Sequence, residues 1–347
     1  MSQMLIQKNE GVSRNAKWSW AARCVNDSEY NVEKSPHSKP EPGDLGLFRI
    51  KTIGFHKQLI TKDDKKLRLY ENDLFVGVFG NRYATDGFEG RVGKLEKLSM
   101  LTGAGMVGTV KYRHKSIKRS TKLSFVGLLQ DENGNTINLK KLNFHKSIPK
   151  QAPKNLILVV GSGMNSGKTT SASKLINGLS KEGKKIAACK LTGSVSNRDK
   201  NELSAASADY IIDFSDYGFP STYLCEKKEL VELFQTMLSD IEKTSPDVIV
   251  MEIADGVLQR ETKMILMDKK IRNLVKGVVL TAESAPSALF SSQQLLDWNH
   301  NVIAVSGAIT SSPLSSKEFI QNSEIKLVSS ADSGSDLSNC VINFLKK

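Results

Sequence analysis

Residues 156–176 run Leu-Ile-Leu-Val-Val, then Gly-Ser-Gly-Met-Asn-Ser-Gly-Lys-Thr-Thr, then Ser-Ala-Ser-Lys-Leu-Ile. A continuous apolar run of five reads as a buried strand, and the segment after the glycines reads as a helix. The chain here must therefore form a strand, a glycine-rich turn and a helix in that order. Gly161, Gly163 and Gly167 permit the tight, partly left-handed turns that aim successive N–H groups at one anion. Lys168 adds a full positive charge, and Thr169 falls at the helix N-terminus, where its hydroxyl is free to take a place on Mg²⁺. With Asn165, Ser166 and Thr170 these residues make up the expected phosphate-binding set.

Beyond the loop, apolar strand segments and helical segments alternate to the C-terminus. The strands are read at 185–190, 210–214, 247–252, 277–280 and 302–306, with helices near 200–208, 226–243, 260–275, 285–296 and 315–322 and a last one after Ser333. This alternation predicts an α/β fold with a doubly wound, mostly parallel sheet, whose ligands gather at the carboxyl ends of the strands. Residues 43–145 differ. Short apolar or alternating runs are separated by glycine and polar turns, with a strong turn signal at Asp131–Asn135, so a small β-barrel or β-sandwich is expected. The phrases around Asn81-Arg-Tyr83 and Gly103–Gly108 read either as functional loops or as barrel bends. Residues 1–42 are polar with three prolines and read as a flexible tail, although Trp18 and Trp20 suggest docking onto the neighbouring domain; residues 146–154 read as a linker before a nucleotide-binding domain at 155–347.

Charge separates the two halves. Lys plus Arg against Asp plus Glu is 28 against 15 in residues 1–154 and 21 against 22 in residues 155–347, so the net charge of +12 belongs to the first half. It peaks between Lys111 and Lys122, a stretch that reads either as a footprint for nucleic acid or as a solvated hairpin. Cys24, Cys189, Cys225 and Cys340 form no Cys-x-x-Cys pair and are expected to be reduced thiols. No apolar run approaches the length of a membrane span and the N-terminus lacks a signal peptide's apolar core, so a cytoplasmic protein is expected.

Three more strand ends carry polar groups. Lys190-Leu-Thr192-Gly-Ser194 follows the second strand of the α/β part. Val248-Ile-Val-Met-Glu252-Ile-Ala-Asp255-Gly delivers a carboxylate at the end of an apolar strand, as a Walker B acid does to bind Mg²⁺ directly or through water. Asp255 reads as a second ligand, a base or a helix cap, and Arg260 as a stabiliser of transferred charge or a surface helix start. Asp213, Asp216 and Ser221 gather near the remaining strand, either as a polar pocket for an acceptor or as an Asp- and Ser-rich turn. Ser306-Gly307, after the last strand, reads as a loop near the base.

Five residues separate the loop's first glycine, Gly161, from Gly167, rather than the usual four. This long spacing resembles the loop of the dethiobiotin synthetases, within the SIMIBI class of P-loop proteins. On that resemblance Lys190, Thr192 and Ser194 correspond to a lysine and hydroxyl phrase facing the reacting groups, and Glu252 with Asp255-Gly256 corresponds to a Val-Glu-Gly-type phrase. Gly163 stands where those enzymes carry an Mg²⁺-binding aspartate. The resemblance covers residues 155–307 and implies class and mechanism, without the substrate.

The residues thus predict an enzyme using ATP and Mg²⁺ that transfers or activates a phosphoryl group on a small acceptor, with Lys168, Lys190, Glu252 and Asp255 catalytic and Thr169 and Glu252 at the metal. Thr192, Ser194, Asp213, Asp216, Ser221 and Arg260 are the candidate acceptor residues. No Asn-Lys-x-Asp guanine-recognition phrase occurs, which favours ATP over GTP. Two rivals stand beside this reading: a polynucleotide 5′-hydroxyl kinase using the basic domain, and a switch-type NTPase controlling a partner of that domain. No membrane partner is expected, and a homodimer is left open.

Overall fold

Period-two patterning in the N-terminal half builds a small closed β-barrel. Its strands are β1 (Lys17–Trp18), β2 (Asn31–Glu33), β3 (Leu45–Thr52), β4 (Gln58–Ile60), β5 (Lys66–Arg68), β6 (Leu74–Phe79), β7 (Phe88–Arg91), β8 (Leu98–Met100), β9 (Met106–Arg113) and β10 (Lys122–Gln130), followed by helix α1 (Leu139–Asn143). The structure, a computed structural model, describes residues 16–26, 30–36, 39–329 and 334–347. The pairings β6–β3, β3–β10, β10–β8 and β8–β9 close into a ring through the parallel pair β6–β9, while β4 and β5 form a separate hairpin. Alternation sorts the side chains. Phe48, Ile50, Phe75, Phe79, Val107 and Leu123 share one cluster, and Leu45, Leu47, Val76, Val78 and Met106 another. Phe48 packs 5.2 Å from Phe79 and 5.6 Å from Phe75, ring centre to ring centre; each such side chain contributes about 1.5–3 kcal/mol by leaving water.

The second cluster faces away from the first, and the N-terminal segment covers it. Lys17 and Trp18 pair in parallel with Phe75 and Val76, and Ala21 and Ala22 are buried beside them. This differs from the expected tail over residues 16–26 and 30–36: an apolar outer face on a barrel must be covered, and Trp18 with its small neighbours covers it. The part of that expectation falling on residues 1–15 lies outside the described residues. After the bridges Gln130–Thr136 and Asp44–Asn138, the Asn138 side chain accepts from the amides of Lys140 and Lys141 and so starts α1.

The second half forms a six-stranded, all-parallel sheet. It contains β11 (Leu156–Gly161), α2 (Lys168–Lys181), β12 (Ile186–Lys190), α3 (Arg198–Ala205), β13 (Tyr210–Asp213), α4 (Lys227–Glu242), β14 (Val248–Ile253), α5 (Arg260–Leu266), α6 (Lys269–Arg272), β15 (Val275–Thr281), α7 (Ala285–Asp297), β16 (Val302–Ser306), α8 (Pro313–Gln321) and α9 (Ser335–Leu345). The strand order is β13-β12-β14-β11-β15-β16. The chain first winds to one side of β11 and then, from β15, to the other, so the carboxyl end of β11 is the topological switch point. One long helix was expected at 260–275, but Asp268 accepts from the amides of Lys270 and Ile271, which ends α5 and starts α6. The chain therefore has an α/β P-loop fold with a preceding β domain. Among the described residues, no helix is long and apolar enough to cross a membrane.

Neither compact unit is one stretch of chain. The first joins the residues up to Phe144 with Ser194–Asn197 and Ser215–Ser221, and the second holds the remainder. Val195, only 2% exposed, belongs to the same apolar cluster as Trp18.

Trp18→Ala should lower the stability of the first unit by about 3–5 kcal/mol, as expected for truncating a buried tryptophan. Urea unfolding followed by circular dichroism checks this; an unchanged midpoint would mean that the segment is not part of the core.

Candidate functional site

The apolar row Ile157, Val159 of β11 packs against Ala172, Leu175 and Ile176 of α2, which fixes the distance the loop must bridge. Two neighbouring strand ends hold that loop from outside. The Ser162 amide donates to the Thr281 carbonyl at 2.8 Å, and the Ser166 and Thr281 hydroxyls lie 2.7 Å apart. From the end of β16, the Ala308 amide donates to the Ser166 carbonyl at 3.0 Å. Gly307 has φ +92°, and a Cβ there would lie 2.2 Å from the Ser166 oxygen, so a side chain would push the loop away. Residues 306–307, expected near the base, thus buttress the loop. Gly256 comes equally close on the other side, its would-be Cβ 2.5 Å from the Ser162 oxygen.

Held in this way, the loop turns through Asn165 (φ +65°) and Gly167 (φ +96°), and α2 begins at Lys168 with Gly167 as its N-cap. The first amides of a helix have no partner within it and carry its positive end, so this position suits an anion. Lys168 is 7% exposed, and its Nζ donates to the Gly163 carbonyl at 2.7 Å. Burial pulls its ammonium below the usual lysine pKa, opposed by Glu252, Asp255 and Glu283 and reinforced by Lys190. Thr169 is half-buried beside it, and Thr170 and Asn165 are exposed.

Adjacent strands bring the acidic residues to this end. In β14 the alternate residues Val248 and Val250 belong to the core on the α2 side, and the next in that row is Glu252; in β12, Ile186 and Ala188 are followed by Lys190. Register pairs Lys190 with Glu252 on one side and Asp213 on the other. Lys190 Nζ lies 2.9 Å from Glu252 Oε1 and 2.6 Å from Asp199 Oδ2. Burial alone would lower the Lys190 pKa, but the Glu252 and Asp199 carboxylates outweigh it and hold the value above the ordinary lysine range. Glu252 is 1% exposed, and its second oxygen, Oε2, is buried with no hydrogen-bond partner.

An unpartnered buried carboxylate oxygen is costly unless something binds it. That donor set fits a divalent cation of the magnesium type, which takes one or two protein oxygens and completes its shell with water and phosphate. Among the described residues no three His, Cys, Asp or Glu side chains converge as a metal cluster.

The other expected site residues separate. Thr192 donates to the Ala254 carbonyl at 2.6 Å, tying the β12 and β14 ends together. Asp255 is half-buried and acts electrostatically on Lys168, while the cap of α5 is Gln259, which accepts from the Thr262 amide. Arg260 donates to the Cys225 carbonyl at 3.0 Å and pairs with Glu261. Asp213 is buried at the end of β13 in the second unit, whereas Ser194, Asp216 and Ser221 belong to the first. There Ser194 bridges Ser221, and Asp216 pairs with Arg23 at 2.6 Å.

Two acids went unnoticed in the sequence. Asp199 comes from a helix start among charges, Arg198-Asp-Lys200, that reads as solvated surface. Glu283 follows an apolar strand just as Glu252 does, and that signal could have revealed it. Its Oε1 lies 3.1 Å from where a Cβ on Gly163 would stand, so a carboxylate reaches the place where the resembling enzymes carry an aspartate.

No family model and no curated protein matches this chain. Among solved structures it is similar to the signal recognition particle receptor FtsY from Elizabethkingia anophelis in complex with GDP (17% identity, 60% of this chain and 69% of that one, TM-score 0.37). It is also similar to FtsY from Thermotoga maritima (16%, 60% and 74%, TM-score 0.35) and to the kinase domain of the Escherichia coli tyrosine kinase ETK (14%, 44% and 66%, TM-score 0.32). The P-loop fold rests on the loop and sheet geometry, to which likenesses this distant add no weight.

Lys190→Met should destabilise the second unit by about 3–5 kcal/mol, because it strands two carboxylates beside apolar surface. Adding Glu252→Met should cost less than the sum of the single changes; strict additivity in urea unfolding would show that the pair is not coupled.

Proposed function

We propose that the second unit binds a magnesium nucleoside triphosphate, ATP by preference, and transfers or activates its terminal phosphoryl group. The observation that carries this reading is the buried, unpartnered Glu252 Oε2 in a strand row that ends beside the lysine of the loop. In this reading the loop amides from Gly163 to Thr169 and the Lys168 ammonium take the phosphates, which repays the burial of that charge. Thr169 and Glu252 would hold Mg²⁺, with Glu283 facing the loop at Gly163; the cation, when bound, would neutralise phosphate charge. Lys190 would hold Glu252 in orientation. Catalysis would then be positioning and charge neutralisation in a site whose parts are held before the nucleotide arrives.

One observation favours a second reading, a switch-type NTPase. Lys190, expected to face an acceptor, is engaged by two carboxylates, which suits a positioning role and removes one acceptor contact. The two readings differ in product. Turnover of labelled ATP and GTP, analysed by mass spectrometry with small-molecule extracts and a 5′-hydroxyl oligonucleotide as acceptors, yields a phosphorylated product under the first and only inorganic phosphate under the second.

Lys168→Ala should abolish nucleotide binding in calorimetry, and full retained activity would overturn the whole assignment. Glu252→Gln should reduce turnover by at least about a hundredfold, in line with loss of an electrostatic stabiliser, with a smaller effect on binding. An equal loss of both would mark Glu252 as structural.

A further inference from the structure

The first unit carries a groove that the nucleotide chemistry leaves unexplained. Its wall is the β4–β5 hairpin. Leu59 points into the barrel core, so the alternate residues Gln58 and Ile60, with their register partners Arg68 and Lys66, share the outer face. Facing them are Phe55, His56 and Lys57, with Gly103 also lining the space, which encloses about 590 Å³. Three cations and no carboxylate line it.

The aromatic residues are fixed in place. The Phe55 amide donates to the Arg119 carbonyl at 2.8 Å, and the Thr121 hydroxyl bridges the Gly54 amide and the His56 carbonyl. Phe55 meets Phe88 edge to face with centroids 5.7 Å apart, yet it stays 42% exposed. The His56 Nε2 lies 3.0 Å from the Leu101 carbonyl. A carbonyl only accepts, so Nε2 carries the proton. Burial, followed by the Arg82 charge, lowers the His56 pKa to about 4, so the ring is neutral near pH 7 and Nδ1 is a lone-pair acceptor. That Nδ1 lies 4.0 Å from where a Cβ on Gly103 would stand.

The basic run singled out in the sequence reaches the same rim near its C-terminal end. Arg119, whose carbonyl holds Phe55, is exposed, as are Lys115 and Lys118. An exposed aromatic ring, a neutral acceptor and cations that continue past the groove match the needs of a base attached to a phosphate chain. A free nucleotide would use the groove but not the run beyond it.

We propose that this face of the first unit binds single-stranded nucleic acid, with a base stacked on Phe55 and offered to His56 Nδ1 while the phosphates meet Lys57, Lys66 and Arg68 and continue towards Lys118 and Arg119. The site does not depend on the phosphate loop.

The test is fluorescence anisotropy of the full chain with labelled single-stranded RNA and DNA of about 12 nucleotides, across a salt series. Binding should weaken with salt with a log–log slope between about −2 and −3.5, for roughly three to five phosphates neutralised. Phe55→Ala should weaken binding about tenfold with little change of slope. Gly103→Leu, at a position whose added Cβ meets nothing nearer than 3.8 Å, should fill the groove and do the same. Lys66→Glu with Arg68→Glu should lower both affinity and slope, and Lys168→Ala should bind as wild type. Wild-type affinity in both Phe55→Ala and Gly103→Leu, equal competition by heparin, or equal competition by a mononucleotide would each overturn the proposal. So would loss of binding in Lys168→Ala, which would place the strand at the loop. Phe55 is on the surface, so its variant remains decisive if Gly103→Leu does not fold.

Discussion

The loop between β11 and α2 has to keep its amides turned inward with no ligand to hold them, and this constraint organises the second unit. An unsupported glycine-rich turn would satisfy its own amides with water or with its own carbonyls. Here neighbouring strand ends take up the loop's outer edge instead: the Ser162 amide donates to the Thr281 carbonyl, the Ser166 hydroxyl meets that of Thr281, and the Ser166 carbonyl accepts from the Ala308 amide. Both anchors come from the ends of strands on the far side of the switch point, Thr281 of β15 and Ala308 just after β16, so the loop is bonded on this side only when those strands are in place. Close approach is needed to make these bonds, which is why Gly256 and Gly307 stand where any side chain would collide with loop backbone.

The charged layer beside the loop follows a related logic. Rows of alternate residues on β12 and β14 are apolar until their last members, Lys190 and Glu252. Burying these charges singly would be prohibitive, and pairing them across adjacent strands makes each tolerable. The arrangement leaves one carboxylate oxygen aimed at nothing, so the stability of the pair and the readiness of the site are properties of the same residues. Glu252 is held by the protein through one oxygen and left available through the other.

Much of this was legible in the chain. The loop, the parallel sheet and the acid at the end of β14 follow from local order and periodicity, because a strand buried on both faces and a glycine-rich turn need no distant information. The β-barrel was visible as short alternating runs, but its closure was not, since the β6–β9 pairing joins residues far apart in sequence. Docking of Trp18 was legible, but the segment around it was read as a tail for the same reason: a short polar-looking stretch becomes core only when a barrel offers it an apolar face. Asp199 was missed because an acid among the charges of a helix start looks like solvated surface, and Glu283 because its place after an apolar strand was passed over; what marks them is a lysine 2.6 Å away and a glycine without a side chain. The grouping of Asp213 with Asp216 and Ser221 was read from proximity in sequence, and the chain crosses between units within those few residues.

That crossing has a consequence for how the protein is made. Val195 sits in the core with Trp18, and Phe219 packs its ring 5.2 Å from Phe144 with the Lys140 ammonium 4.6 Å away. A chain emerging from the ribosome completes all the barrel strands by residue 130, yet the cluster that holds Trp18 lacks Val195, and Phe144 lacks its ring partner Phe219, until the later segments have been synthesised. During that interval of vectorial synthesis two places on the first-made half of the protein wait for side chains encoded in the second.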